Sequence, residues 1–140
     1  MTLKVSKAQV WAGELRDQPG GLVEVLGELA AAGASVEFVI ARRDDKQSGR
    51  GKVFVTPLKG KKAMDAAKAA GLSVAANIGT LRIEGADKPG MGSKVMEKIA
   101  AAGVNVRGVS AAVIGSNFVA YIGLDSQADA DRAAKALKGL

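Results

Sequence analysis

Apolar positions along the chain follow two rhythms in turn. Over 11–15, Trp11, Gly13 and Leu15 alternate with polar or small positions, and over 80–85 Leu81, Ile83 and Gly85 alternate with Thr80, Arg82 and Glu84. A period of two marks a half-buried strand, because successive side chains point to opposite faces. Asp-x-Pro-Gly breaks each run, at Asp17-Gln18-Pro19-Gly20 and at Asp87-Lys88-Pro89-Gly90. Beyond it the period lengthens: Leu22, Val25, Leu26 and Leu29, echoed by Val95, Met96 and Ile99, carry the spacing of an amphipathic helix. Gly33 and Gly103 predict where these helices stop, since glycine adopts the left-handed cap conformation at no steric cost. Val36, Phe38 and Ile40 then resume the alternation, and Val104, Val106 and Val109 open the matching strand. A hairpin follows in each place, through a charged connection over 42–52 in the first and a tighter turn at Gly115-Ser116-Asn117 in the second. The third strands fall at 53–55 and 118–122. Second helices run through Met64, Ala67 and Ala70, and through Ala130, Ala133, Ala134 and Leu137; residues 72–75 read as a fourth strand.

The two series are copies of one another. Asp17-Gln18-Pro19-Gly20-Gly21 recurs as Asp87-Lys88-Pro89-Gly90-Met91, and Ala31 to Val36 recurs as Ala101 to Val106, both at an offset of 70 residues. Ala66-Ala67-Lys68-Ala69 matches Ala133-Ala134-Lys135-Ala136 at an offset of 67, so the second copy has lost three residues in a shortened hairpin. The order β-α-β-β-α-β predicts an α+β protein of two ferredoxin-like domains, over 1–76 and 77–140, each an antiparallel sheet with helices on one face. The second copy reaches Leu140 without a fourth strand. Sliding the repeat back by 70 brings Leu3-Lys4-Val5 to that position, so residues 3–5 are expected to complete the second sheet, within one chain or across a dimer.

Composition narrows the chemistry. The 140 residues include no cysteine and no histidine, which removes disulfides, zinc sites and His-paired nucleophiles, so neither a metal nor a cofactor is expected, nor an enzyme. No apolar run approaches the ~18 residues of a membrane span and no signal segment is evident, so a soluble cytoplasmic protein is expected, with no membrane partner. Glu14 and Glu84 are repeat equivalents at strand ends, which speaks for shared architecture over a catalytic pair. Gly49-Arg50-Gly51-Lys52 and Gly90-Met91-Gly92 lack the glycine spacing of nucleotide loops and read as turns. The net charge of +6 gathers partly in Arg42, Arg43, Lys46, Arg50, Lys52, Lys59, Lys61 and Lys62, against Asp44 and Asp45. Such a tip could meet phosphate or an acidic protein, although a solvated surface is the simpler reading. Sheets that bind RNA stack bases on strand aromatics in a pattern missing here, so nucleic acid is an unlikely partner. Trp11 lies on the inward alternation of its strand and is expected in the core.

The run E-x-x-D-x-P-G-x-L-x-x-V-L-x-x-L-A-A-A-G-x-x-V, spelled from Glu14 to Val36 and again from Glu84 to Val106 with Gly92 in place of the Leu, resembles the start of an ACT domain. The whole chain is similar to free-standing bacterial proteins made of two ACT domains. That resemblance implies a small-molecule sensor that binds an amino acid where two domains meet and signals to an enzyme. Carried over by position, it points to Asp17, Pro19, Gly20, Gly21 and Leu22 with Ser35, and to Asp87, Pro89, Gly90, Met91 and Gly92 with Asn105.

The chemistry of the turn is compatible with this. A helix N-terminus offers free N–H groups and partial positive charge, and glycines let a carboxylate approach them closely. Asp17 or Asp87 could cap the helix or meet an ammonium, while the Asn105 amide both donates and accepts. The structural alternatives are a plain turn and helix start for Asp-x-Pro-Gly and a self-bonded strand end for Asn105. The expected function is therefore an amino-acid-binding regulatory protein, a homodimer with a possible partner enzyme. The alternative is an interaction or oligomerisation module serving as the regulatory subunit of a metabolic enzyme, and the remote one is nucleic-acid binding through the basic hairpin 42–62.

Overall fold

The computed structural model describes residues 3–140. In chain order its elements are β1 (Lys4–Ala8), β2 (Trp11–Arg16), α1 (Gly21–Ala31), β3 (Phe38–Arg43), β4 (Arg50–Thr56), α2 (Lys61–Ala69), β5 (Ser73–Val74), β6 (Gly79–Ala86), α3 (Met91–Ala101), β7 (Val106–Ile114), β8 (Asn117–Leu124) and α4 (Gln127–Ala136). They form two ferredoxin-like α+β units. Gln9–Ala75 make up the first, and the N-terminal segment through Ala8 groups with Ala76–Leu140 in the second.

In the first unit the sheet order is β3-β4-β2-β5, antiparallel throughout. Val53 and Val55 of β4 are wholly buried beneath Val25 and Leu29 of α1 and Ala63 and Ala67 of α2, with Trp11, Leu58 and Leu72 completing the core. Only Val25 and Leu29 of the four periodic residues in α1 are buried; Leu22, expected on the same stripe, is 36% exposed. It sits in the first turn and lines a cleft with Leu15, Ala41 and Gly51 of the strands. Trp11 is in the core as its alternation predicts, but its indole Nε1 has no hydrogen-bond partner among the described residues.

The second unit repeats the plan with the order β1-β6-β8-β7. Here β1 takes the place that β5 holds in the first sheet, running antiparallel to β6 from Lys4 opposite Glu84 to Ala8 opposite Thr80. Leu81, Ile83, Ile122 and Leu124 are fully buried against Val95 and Ile99 of α3 and Ala130 and Ala133 of α4. Alanines on the buried face of α4 let the helix lie close to the sheet; each larger aliphatic buried beneath contributes about 1.5–3 kcal/mol.

The hairpins depart from the sequence reading. In the first unit the strands run on to Arg43 and restart at Arg50, so every basic residue of the connection but Lys46 lies in strand, with Arg42 opposite Lys52 and Arg43 opposite Gly51. The loop is only 44–49, closed by the Asp44 N–H donating to the Arg50 carbonyl at 2.9 Å and the Lys46 N–H to Asp44 Oδ1 at 2.9 Å. Charge does not exclude arginine from an edge strand whose side chains reach water. In the second unit the register shifts between Val106 and Gly108. The bulge puts Val106 and Val109, three residues apart, on one face. Gly115, at φ 62°, opens the tight turn that follows.

Candidate functional site

The strand-to-helix turn of the first unit is built on close backbone contacts. The Asp17 N–H donates to the Gly49 carbonyl at 3.0 Å and the Gly21 N–H to the Gln18 carbonyl at 2.9 Å. Gly20 is left-handed at φ 83°. A Cβ on Gly21 would fall 1.8 Å from the Arg16 carbonyl oxygen, so only glycine lets the helix start against the strand end. The equivalent turn keeps the left-handed glycine, Gly90 at φ 85°, and its Asp87 N–H donates to the Ser116 carbonyl at 2.8 Å. Met91 stands where Gly21 does, so that helix start leaves room for a side chain.

Neither aspartate caps its helix: the N-caps are Gly20 and Gly90, without a side-chain bond. Asp17 instead accepts from Arg43 Nε at 2.5 Å, a bond that, with the opposite charges, raises the pKa of the guanidinium further. Arg16 forks onto Glu24 of α1, Nη2 to Oε1 at 2.8 Å and Nε to Oε2 at 3.2 Å. The first turn of a helix leaves N–H groups without intrahelical acceptors, and those of Leu22 and Val23 find none among the described residues.

A cleft of about 220 Å³ opens beside this turn, lined by Leu15, Arg16, Asp17, Gln18 and Leu22 on one side and by Ala41, Arg42, Arg43 and Gly51 on the other. A second hollow, of about 270 Å³, lies along α1 between Glu14, Arg16, Glu24, Glu28 and Arg50 and reaches Gly21. Asp17, Pro19, Gly20, Gly21 and Leu22 thus share one end of the first unit, and Asp87, Pro89, Gly90, Met91 and Gly92 the same end of the second. Ser35 and Asn105 do not join them within their own unit. Each follows the first helix of its unit, whose 11 residues span about 16 Å, and so lies at the opposite end of its sheet. The register shows the same: Phe38 pairs with Thr56 and Val106 with Leu124, whereas Arg16 pairs with Arg50 and Ala86 with Asn117 at the turn ends.

Sequence reasoning missed the arginines of the cleft. By sequence Arg42 and Arg43 read as part of a charged tip, solvated or open to phosphate or an acidic protein, although the alternation of Val36, Phe38 and Ile40 continues through Arg42 and so carries β3 up to the turn. Among the described residues no cluster of acidic side chains suits a metal ion, and no helix is long and apolar enough to cross a membrane.

Sheet order and helix placement define a duplicated ferredoxin-like α+β protein. ACT-domain family models match residues 14–70 and 80–140, and the chain belongs to that family. Among solved structures it is similar to the ligand-free regulatory subunit of aspartate kinase from Thermus thermophilus, at 20% identity and a TM-score of 0.66 over 98% of this chain and 95% of that one. Protein BT0572 from Bacteroides thetaiotaomicron is similar at 17% identity and a TM-score of 0.78, over 94% and 88% of the two chains. The regulatory subunit of aspartate kinase from Thermus flavus is similar at 18% identity and a TM-score of 0.60, over 99% and 98%. No curated protein matches the chain in sequence. Membership of the ACT family supports an allosteric, amino-acid-binding regulatory role in general terms.

Proposed function

We propose that the protein is a non-catalytic cytoplasmic regulator that binds a free amino acid at the strand-to-helix turn of the first unit, with Asp17, Gly20, Gly21 and Leu22 in contact with it. The observation that carries this reading is the coincidence of the unpaired Leu22 N–H, among the described residues, with a cleft of about 220 Å³ holding both carboxylate and guanidinium groups. An amino acid needs both signs of charge. The turn at Asp87, Pro89, Gly90, Met91 and Gly92 is a second, differently shaped candidate, and Ser35 and Asn105 would contribute only from another domain or subunit. The mechanism is a population shift: a ligand that binds one arrangement better favours it by that differential affinity, and a partner enzyme reads the change. The structural likeness to regulatory subunits of aspartate kinase supports such a partner.

A thermal-shift screen of the twenty amino acids at millimolar concentration tests this, because a ligand that binds only the folded chain raises Tm by mass action. A selective rise, followed by saturable heat in calorimetry, is the expected result. A flat screen on well-folded protein would favour the second reading, an oligomerisation or docking module. One observation speaks for that alternative: β7 is the free edge of its sheet and leaves Val109, Val113 and Ile114 55%, 53% and 77% exposed. The same edge supports a homodimer under either reading.

A further inference from the structure

We infer that the cleft of the first unit takes a ligand with two carboxylates, which under the function proposed above is an acidic amino acid, and that the second unit does not share this preference. The inference rests on that reading for the place of the site and on a residue-by-residue comparison of the two units for its chemistry. Their registers superpose one sheet on the other: Arg16 opposite Arg50 matches Ala86 opposite Asn117, and Arg43 opposite Gly51 matches Val113 opposite Phe118. Arg42 likewise matches Ala112. Four arginines at the turn end of the first sheet therefore have only neutral counterparts in the second.

The packing of the wall differs as well. Gly51, in the wall of the cleft, has so little room that a Cβ would lie 2.9 Å from both the Arg42 carbonyl oxygen and Leu15 Cδ1. The corresponding Phe118 fills that place and packs on the core of its unit. The wall that Leu15 and Gly51 build in the first unit is thus built the other way round, from Gly85 and Phe118, in the second.

Around the cleft, Arg16, Arg42 and Arg43 stand against Asp17 and against Glu24, onto which Arg16 forks. Asp17 already holds Arg43, so a zwitterion enters by exchange: its ammonium takes Asp17 and its α-carboxylate takes Arg43, with charge conserved. That exchange leaves the guanidinium charge of Arg42, which points to the other face of β3 and has no ion pair among the described residues, to favour a second carboxylate through its field. Guanidinium favours carboxylate because the two forks match. A cationic side chain in the same place would be repelled.

The test is calorimetry on the full chain with L-aspartate, L-glutamate, their neutral isosteres L-asparagine and L-glutamine, L-lysine, and succinate, which lacks the ammonium. An acidic amino acid is expected to bind at least tenfold more tightly than its amide and to weaken as salt rises. Arg43→Gln should cost it tenfold or more, and Lys135→Gln, the same charge change on α4, should leave it unchanged; the Tm of each variant confirms its fold. Amides or lysine binding as well as the acids would overturn the dicarboxylate inference and leave the amino-acid site standing. Succinate binding without any amino acid would support the inference and overturn the amino-acid reading. Silence from all of them would overturn both, and an affinity indifferent to Arg43→Gln would overturn the placement in this cleft.

Discussion

The two units close their sheets in unequal ways. In the first, β5 pairs through Ser73 and Val74 alone, directly after α2; in the second, β1 arrives from the other end of the sequence and pairs through Lys4–Ala8. The longer strand also brings side chains: Leu3 and Val5 pack on the second core, and Lys7 pairs with Asp131 of α4. In the first unit the corresponding space beside Gly13 is taken by the Gly71 carbonyl and Leu72 Cδ2, which would lie 2.8 and 2.6 Å from a Cβ there. A tandem repeat can therefore share one plan while its members draw on sequence neighbours of very different distance. The chain also runs from β1 into β2 and from β5 into β6, so each fourth strand continues into the first strand of the other unit.

Removing residues 1–7 should give the largest effect and break this comparison outright. It strips the β6 edge of its partner, and hydrogen exchange over 80–86 should lose protection while β2 and β4 keep theirs. Unchanged exchange in β6 would show that β1 adds nothing to the second unit. Next in size is Leu81→Ala, which empties a wholly buried site and should cost about 2–5 kcal/mol in urea denaturation. Its repeat counterpart is Trp11, where Trp11→Phe keeps most of the packing and removes a buried donor without an acceptor, so the loss should be well below that of Leu81→Ala.

The two turns respond in opposite directions to the same kind of change. Gly21→Ala sets a methyl against the Arg16 carbonyl and should destabilise by about 1–3 kcal/mol. Gly92→Ala lies in α3 with nothing within 4 Å of the new methyl and should stabilise by about 0.5–1 kcal/mol. Equal effects would mean that the two turns are built alike. The smallest expected effect is electrostatic. Lys61, at 2.6 Å, holds the Asp65 carboxyl below its ordinary pKa by a hydrogen bond and by its charge. A carboxyl depressed by folding stabilises above its unfolded pKa, and that stability fades as pH falls through the folded value. Asp65→Asn should therefore flatten the acid limb of the stability curve slightly. The second unit has Ala128 and Arg132 at these positions, and its Arg132 pairs with Asp129 instead.

Most of the architecture was legible because the repeat appears twice and each copy checks the other. The alternation of Leu81 and Ile83, the helical spacing of Val25 and Leu29, and the capping glycines Gly33 and Gly103, at φ 78° and 74°, each reflect a local rule that packing did not override. The turn residues of the candidate site were legible as a motif. The arginines around it were not, because charge in a sequence looks like solvated loop until strand pairing shows how far β3 and β4 extend. Leu22 misled for the opposite reason: its spacing fits the apolar stripe, but a cleft opens between it and the strands, so it stays 36% exposed.

What the sequence by itself determined is the local grammar: where strands give way to helices, which glycines turn, and that the whole is a doubled β-α-β-β-α-β chain of the ACT kind. Those features depend on side-chain period and backbone freedom, which act within a few residues. Tertiary structure alone decided which strand covers β6 within the chain, that Asp17 holds Arg43 and leaves the helix uncapped, and that Ser35 and Asn105 lie far from their own turns. These are matters of distance between residues remote in sequence. Such distances are set by cross-strand register and by the length of the intervening helix, and no local pattern carries them.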